Sequence, residues 1–226
     1  EDVCGGYLKK VARGSELMLM AETSMFGGSV ADYRCGTVKK YVKTVANACY
    51  RREVFEKVGL FNEKLMRSED NEMHYRIRKA GYNICYSSDI RSEYITRPTL
   101  KGMLKQKFGN GKYVGLTTKI SPKVFSVYHY VPCVFVLCAI LATVLFALSF
   151  CLKNFYLALP FICGAGLYLI CDILLSLKTC LKGGKIKYFL PLVVIYPLLH
   201  FSYGTGTITG LIKMPFFKCK RIKTIN

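Results

Sequence analysis

The chain has 226 residues, 52% of them apolar, and a formal net charge of +19. Its charges are unevenly placed: 23 Lys+Arg stand against 13 Asp+Glu up to Lys123, and from Val124 onward there are 10 against a single acid, Asp172. This division decides against one wholly soluble domain, and leaves a basic globular part followed by an apolar, membrane-type part. A charge of this size suits nucleic acid, anionic lipid or a phosphorylated substrate, but positive residues flanking apolar runs point to lipid headgroups and away from nucleic acid.

The eleven cysteines are scattered without any C-x-x-C pair. That pattern argues against a disulfide framework or a local zinc site and predicts free thiols in a reducing compartment. His74, His129 and His200 are too far apart in sequence for a local metal site. The first residues, Glu1-Asp2, carry neither an initiator Met nor the basic start and apolar run of a signal peptide, so the chain reads as part of a longer protein.

Taken in order, Ser15 to Met25 has helical composition and ends at Gly27-Gly28. Tyr41 to Cys49 alternates enough to predict a strand, and Arg52 to Val58 predicts a short helix closed by Gly59. Ser68 to Ala80 predicts a longer helix, with Ser68 as N-cap, Glu69 and Asp70 in the first turn, Gly81 at the C-terminal stop, and Met73, Ile77 and Ala80 as its buried stripe. Tyr82–Ser87 and Ile90–Ile95 read as two short strands. Helices and strands in alternation give an α/β class, although with few strands for a complete sheet.

From Thr99 the pattern changes. Leu100, Met103, Leu104 and Phe108 share one helical face and lysines crowd the rest, which predicts an interfacial amphipathic helix. Val131 to Leu152 is free of formal charge for 22 residues, about 33 Å as a helix at roughly 1.5 Å per residue. Asn154 to Leu177 is interrupted only by Asp172, expected as an acid reaching headgroup water or as a polar contact between spans. Tyr188 to Ile212 is also uncharged but carries two prolines and three glycines, so it reads as a kinked span, favoured for its length, or a re-entrant hairpin. Gly206-x-x-x-Gly210 permits close helix packing. The lysines Lys178, Lys182, Lys185 and Lys187 place the second loop, and with it the soluble part, in the cytoplasm. If the third segment crosses, the basic tail from Lys213 to Lys223 falls on the outside against the same charge rule.

Acids in a first helical turn complement the helix dipole, and that role explains most such pairs. The same dipole also keeps a carboxylate ionised in a partly enclosed cleft, as a general base requires. Arg51 and Arg52 are either diphosphate contacts or ordinary exposed residues at a helix start. Gly109-Asn-Gly111 either lets backbone approach phosphate or ends the amphipathic helix. A hydrogen bond from His74 to Asp70, one turn earlier, competes with a solvated or partly buried imidazole.

Four segments occur together: Tyr50-Arg-Arg-Glu-Val-Phe-Glu-Lys-Val-Gly, Phe61-Asn-Glu, Ser68-Glu-Asp-Asn-Glu and Tyr75-Arg-Ile-Arg-Lys-Ala-Gly. With Phe26-Gly-Gly and Gln106-Lys-Phe-Gly-Asn-Gly-Lys, they resemble the acceptor half of family 2 inverting glycosyltransferases of the GT-A fold, in particular the membrane-anchored succinoglycan or exopolysaccharide type. The resemblance implies a partial GT-A domain over 1–98, a basic interfacial segment over 99–123, and a transmembrane region of two or three helices with a basic tail over 124–226. It implies Asp70 as the base that deprotonates the acceptor hydroxyl, with Glu69 in reserve, and substrate contacts from Tyr50, Arg51, Arg52, Gln106, Lys107, Gly109 and Lys112. A nucleotide-sugar donor, a lipid-linked or saccharide acceptor and membrane lipid are the implied partners. The family's Asp-x-Asp metal motif does not occur here. The resemblance therefore places the Mg or Mn ligands and the nucleotide pocket of the complete enzyme outside this chain. The missing Arg-Trp after Gln106 points to single-sugar transfer rather than processive synthesis. A non-catalytic remnant or partner subunit, and a small membrane scaffold or transport protein, are the rival readings.

Overall fold

The computed structural model describes residues 1–28 and 40–218. It contains a four-stranded mixed sheet with helices in its N-terminal part, followed by three long apolar helices. The sheet order is β2-β4-β1-β3, with β1 Val3–Val11, β2 Lys40–Tyr41, β3 Ala46–Tyr50 and β4 Ile84–Ile95. β1 pairs in parallel with β4 and antiparallel with β3, and β2 closes the other edge antiparallel to β4.

Three features differ from the sequence expectation. The strand predicted over 41–49 is two strands on opposite edges of the sheet, because Lys43 to Val45 carry the chain from β4 across to β1. The two strands expected in 82–95 are one, β4, whose register against β1 jumps between Gly6 and Tyr7, from Gly6↔Ser87 to Tyr7↔Arg91. That bulge brings the Ile90 carbonyl so close to Gly6 that a Cβ there would collide with it. β1 itself has no strand signature, since Gly5-Gly6 and Lys9-Lys10 interrupt any alternation.

Helices α1 (Glu16–Thr23), α2 (Arg52–Val58) and α3 (Glu69–Lys79) form where their patterns predict. Ser15 caps α1, its hydroxyl accepting from Met18 N at 3.3 Å. Gly59, at φ 80°, stops α2, and Gly81, at φ 88°, follows α3. α2 and α3 cover one face of the sheet through Val54, Val58, Met73 and Ile77, which meet Val3, Ile84 and Tyr86.

α4 (Leu100–Thr117) runs two turns past the expected stop at Gly109–Gly111. The reason is packing on α7 (Phe189–Lys213). A Cβ at Gly111 would strike the Tyr203 carbonyl and one at Gly115 the Leu211 amide, while Gly206 and Gly210 lie against the carbonyls of Phe108 and Lys112. Four glycines thus let two helix backbones touch, and Ser202 adds a hydroxyl bond to the Leu104 carbonyl at 2.8 Å. Lys101, Lys105, Lys107 and Lys112 all lie on α4. At about 3 kcal/mol for each lysine at a bilayer centre, together on the order of 10 kcal/mol, they keep this helix out of hydrocarbon.

α5 (Val131–Cys151) and α6 (Leu159–Gly183) form a hairpin, with Phe135 stacked on Tyr168 and Phe146 beside Phe161. Three stretches, Val127–Cys151, Phe155–Gly183 and Ile186–Phe216, are helices long and apolar enough to cross a membrane. The third is one continuous helix through Pro197 rather than a hairpin. Asp172 is 1% exposed and accepts from Ser176 Oγ at 3.1 Å, so it is buried among the helices instead of reaching for headgroup water. A second core, containing Met18, Ala21, Met103, Cys180, Leu192 and Tyr196, joins α1 and α4 to α6 and α7.

Candidate active site

The α3 mouth begins at Ser68, which adopts φ 65° and ψ 12° and makes no side-chain cap. The residue expected as a cap instead makes a left-handed turn, a conformation that costs a non-glycine residue roughly 1–2 kcal/mol. Its carbonyl still accepts the first helical bond, from Glu72 N at 3.0 Å. Glu69, Asp70 and Glu72 occupy the positive end of the helix dipole, and Arg76, Arg78 and Lys79 the negative end.

Asp70 is oriented by its neighbour: Oδ1 accepts from Asn71 N at 2.7 Å and from Asn71 Nδ2 at 2.8 Å. Burial pushes its carboxyl above the usual carboxylate range, and the Glu69 charge adds to the rise. Burial likewise raises the Tyr50 phenol, with Asp70 the next contributor, which puts Tyr50 within the field of the same carboxylate. The Tyr50 ring stands edge-on to Phe61 and near Phe55, and its hydroxyl meets His74 Nε2 at 2.9 Å. The other imidazole nitrogen, Nδ1, meets Thr44 Oγ1 at 2.8 Å. His74 is therefore fully buried with both nitrogens engaged by hydroxyls, and neither a solvated ring nor an Asp70 partner.

Two further segments are linked, directly or in turn, to Arg67, two residues before the acids. Arg67 Nη1 donates to Asn110 Oδ1 at 2.6 Å, and its guanidinium lies against Gly109. This contact ties the α3 mouth to the Gln106–Lys112 stretch of α4. Lys107 Nζ in turn donates to the Gly27 carbonyl at 2.7 Å, bringing in Phe26-Gly-Gly. Gln106 Nε2 donates to Tyr94 OH, whereas Gln106 Oε1 and Glu69 Oε2 are buried and without a hydrogen-bond partner among the described residues.

Arg51 and Arg52 are exposed, Arg51 Nε donating to the Glu1 carbonyl at 3.0 Å. Gly109 sits within α4 against Arg67, so it does not present an open backbone turn, and Lys112 lies one turn beyond the Gln106 contact region with its carbonyl against Gly210. Arg67, Asn110, Tyr94 and His74 belong to this neighbourhood without having been singled out as site residues from sequence. The Arg67–Asn110 pair joins positions 43 apart and leaves no local pattern to read. No group of three His, Cys, Asp or Glu side chains capable of holding a metal ion occurs among the described residues.

The buried imidazole makes stability pH-dependent. Burial, with Arg78 contributing, moves His74 down from its usual 6.5 to about 4. The unfolded chain then binds the proton more readily between those values, so stability present above pH 6.5 is lost as pH falls toward 4. The full window corresponds to about 3 kcal/mol. Urea unfolding of the wild type should show this loss between pH 7 and pH 4.5, and His74→Gln should lack most of it. Equal pH slopes for the two proteins would remove His74 as the cause.

Comparison with known proteins gives one partial likeness. The chain is 33% identical over 92 residues to the succinoglycan biosynthesis protein ExoA of Rhizobium meliloti (strain 1021), covering 41% of this chain and 28% of that protein's length. No family model matches, and no solved structure matches.

Proposed function

We propose that this chain is the acceptor-side portion of a membrane-anchored, inverting family 2 glycosyltransferase of exopolysaccharide synthesis. It would take a sugar from a nucleotide-sugar donor and pass it to a lipid-linked or saccharide acceptor at the cytoplasmic face. The observation that carries this reading is the convergence at the α3 mouth. An oriented, partly buried Asp70 stands beside Glu69, and the Arg67–Asn110 contact brings the Gln106 segment to the same place. The partial likeness to a succinoglycan biosynthesis protein supports the same chemistry.

In this scheme the acceptor hydroxyl gives its proton to Asp70 as its oxygen attacks the anomeric carbon. The bond from that carbon to the donor diphosphate breaks on the opposite face, and the nucleoside diphosphate leaves with the electron pair. Burial keeps the proton affinity of Asp70 high, and the like charge of Glu69 adds to it. The unpaired oxygens of Glu69 and Gln106 would accept hydrogen bonds from acceptor hydroxyls. Residues 1–98 would form part of the GT-A domain, 99–123 the interfacial segment and 124–226 the membrane region. A complete enzyme of this kind is expected to use Mg or Mn held by residues other than those described here.

The test is transfer of labelled sugar from a panel of nucleotide sugars to endogenous lipid, in membranes expressing the whole open reading frame that contains this chain. Label appearing in the lipid fraction with one donor, and inversion at its anomeric carbon, is the expected result. No transfer from any donor, with the protein folded and membrane-inserted, would favour a non-catalytic partner subunit.

A further inference from the structure

Both ends of α7 are fastened to the soluble part of the molecule. Just ahead of its first turn, Lys185 pairs with Glu16 at the start of α1, and Tyr188 OH donates to the same carboxylate at 3.4 Å. Just beyond its last turn, Lys119 Nζ donates to the carbonyls of Pro215 at 2.9 Å and Phe217 at 2.7 Å. Phe217 also packs against Leu65 and Ile120, and Leu65 belongs to the loop that leads into α3. A 25-residue helix is about 37 Å long. Were it upright in a bilayer, α1 and the loop before α3 would have to lie on opposite faces.

The contacts with α4 exclude that arrangement independently. Leu104 meets Ser202, Phe108 meets Gly206, Lys112 meets Gly210 and Gly115 meets Leu211, so the two helices run parallel and in step. α4 carries four lysines and follows directly from β4. A helix in backbone contact with it along this length shares its depth. The remaining face of α7 exposes apolar residues toward both ends, Leu190, Val194, Leu198 and Phe201 in the first half and Ile212 in the last turn, with Phe216 just beyond the helix and Thr205 exposed between them. At its middle, near His200, α7 passes the α5–α6 hairpin, where Tyr168 OH meets His200 Nδ1 at 2.8 Å and Phe135 packs on Phe201. This face is therefore continuous with the lipid-facing surface of the two crossing helices.

We propose that α7 lies along the bilayer surface instead of crossing it, with these exposed apolar residues sunk in the hydrocarbon boundary of the leaflet that faces the soluble part. The membrane is then crossed by α5 and α6 alone. Lys213 and Lys218 lie on the same side as Lys178, Lys182, Lys185 and Lys187, which removes the conflict with the charge rule for the described part of the chain. Lys213 and Lys218 meet anionic headgroups there. The α4–α7 pair forms a platform that holds the Gln106 segment at the level of the lipid surface.

The chain contains no Trp, so one introduced indole reports its own depth. Phe201→Trp marks the midpoint of α7, Ile212→Trp its end and Leu141→Trp the midpoint of α5. The proteins are reconstituted in vesicles of phosphatidylcholine and phosphatidylglycerol containing lipid brominated near the carbonyl or near the methyl end of the acyl chain. Trp at 201 and at 212 should both lose more fluorescence to the shallow bromines, and Trp at 141 more to the deep ones. Deep quenching at 201 together with shallow quenching at 212 is the pattern of a crossing helix and would overturn the proposal. Sidedness gives a separate measurement, with single cysteines at Glu63, Lys153 and Lys218 on a cysteine-free background. An impermeant maleimide should place 218 on the same side as 63 and opposite to 153. Labelling of 218 together with 153 would overturn it equally.

Discussion

Asp70→Asn in the complete enzyme is expected to lower turnover by at least ~10²-fold, the scale on which losing a general base acts. The amide keeps the shape of the side chain and can still accept from Asn71 through its carbonyl oxygen, so the α3 mouth should keep its geometry. Donor binding should stay near normal, because the change removes proton affinity and no donor contact is ascribed to this carboxylate. Glu69→Gln separates the two acids more sharply. Burial and the Glu69 charge both raise Asp70. Removing that charge should lower the Asp70 value and move the acid limb of the pH–rate profile to lower pH, with activity retained. An inactive Glu69→Gln beside an active Asp70→Asn would transfer the role of base to Glu69. Near-wild-type rates for both variants would return the pair to the role of dipole partners.

The parts of the fold that could be read from sequence are those decided locally. α3 follows from acids at one end, bases at the other and Gly81 beyond. α5 and α6 follow from runs of uncharged residues too long for an ordinary buried helix. β1 could not be read, because a strand containing Gly5-Gly6 and Lys9-Lys10 owes its conformation to partners on both sides, β3 and β4. Glycine misled in α4 for a related reason. Gly109 and Gly111 have the composition of a helix stop, yet Gly111 serves backbone contact with α7, a helix whose midpoint is 90 positions later in the chain.

The candidate site divides in the same way. Glu69 and Asp70 stand out by position at a helix start, but Arg67–Asn110, Lys107–Gly27 and the Thr44–His74–Tyr50 chain are long-range pairings with no local signature. One missed feature did have a local signal. Glu72 and Arg76 are four residues apart on α3, the spacing at which opposite charges meet. What the spacing does not tell is that the pair is fully buried.

That burial makes Arg76→Ala the variant with the largest expected loss of stability. The guanidinium, 2% exposed, gives Nε to Glu72 Oε1 at 2.9 Å and Nη2 to Glu72 Oε2 at 3.0 Å. It also donates to the carbonyls of Val58, Gly59 and Leu60, which clamps the end of α2 and the loop after it onto α3. Truncation leaves the Glu72 carboxylate, 0% exposed, without its counter-charge, and three carbonyls without this donor. Breaking a buried pair from one side costs about 3–5 kcal/mol, a large share of the 5–15 kcal/mol that holds an ordinary domain together. Adding a second substitution should restore part of the loss. Glu72→Met with Arg76→Met removes both charges and fills the space with apolar atoms, so the double variant should unfold at higher denaturant than Arg76→Met alone, although it lacks more native contacts. It should still fall below the wild type, because the Val58–Leu60 carbonyls remain short of a donor. Denaturant unfolding of the three variants in detergent decides the matter. A double variant less stable than the single one would mean that Arg76 acts mainly through the loop carbonyls and that Glu72 is tolerated without it.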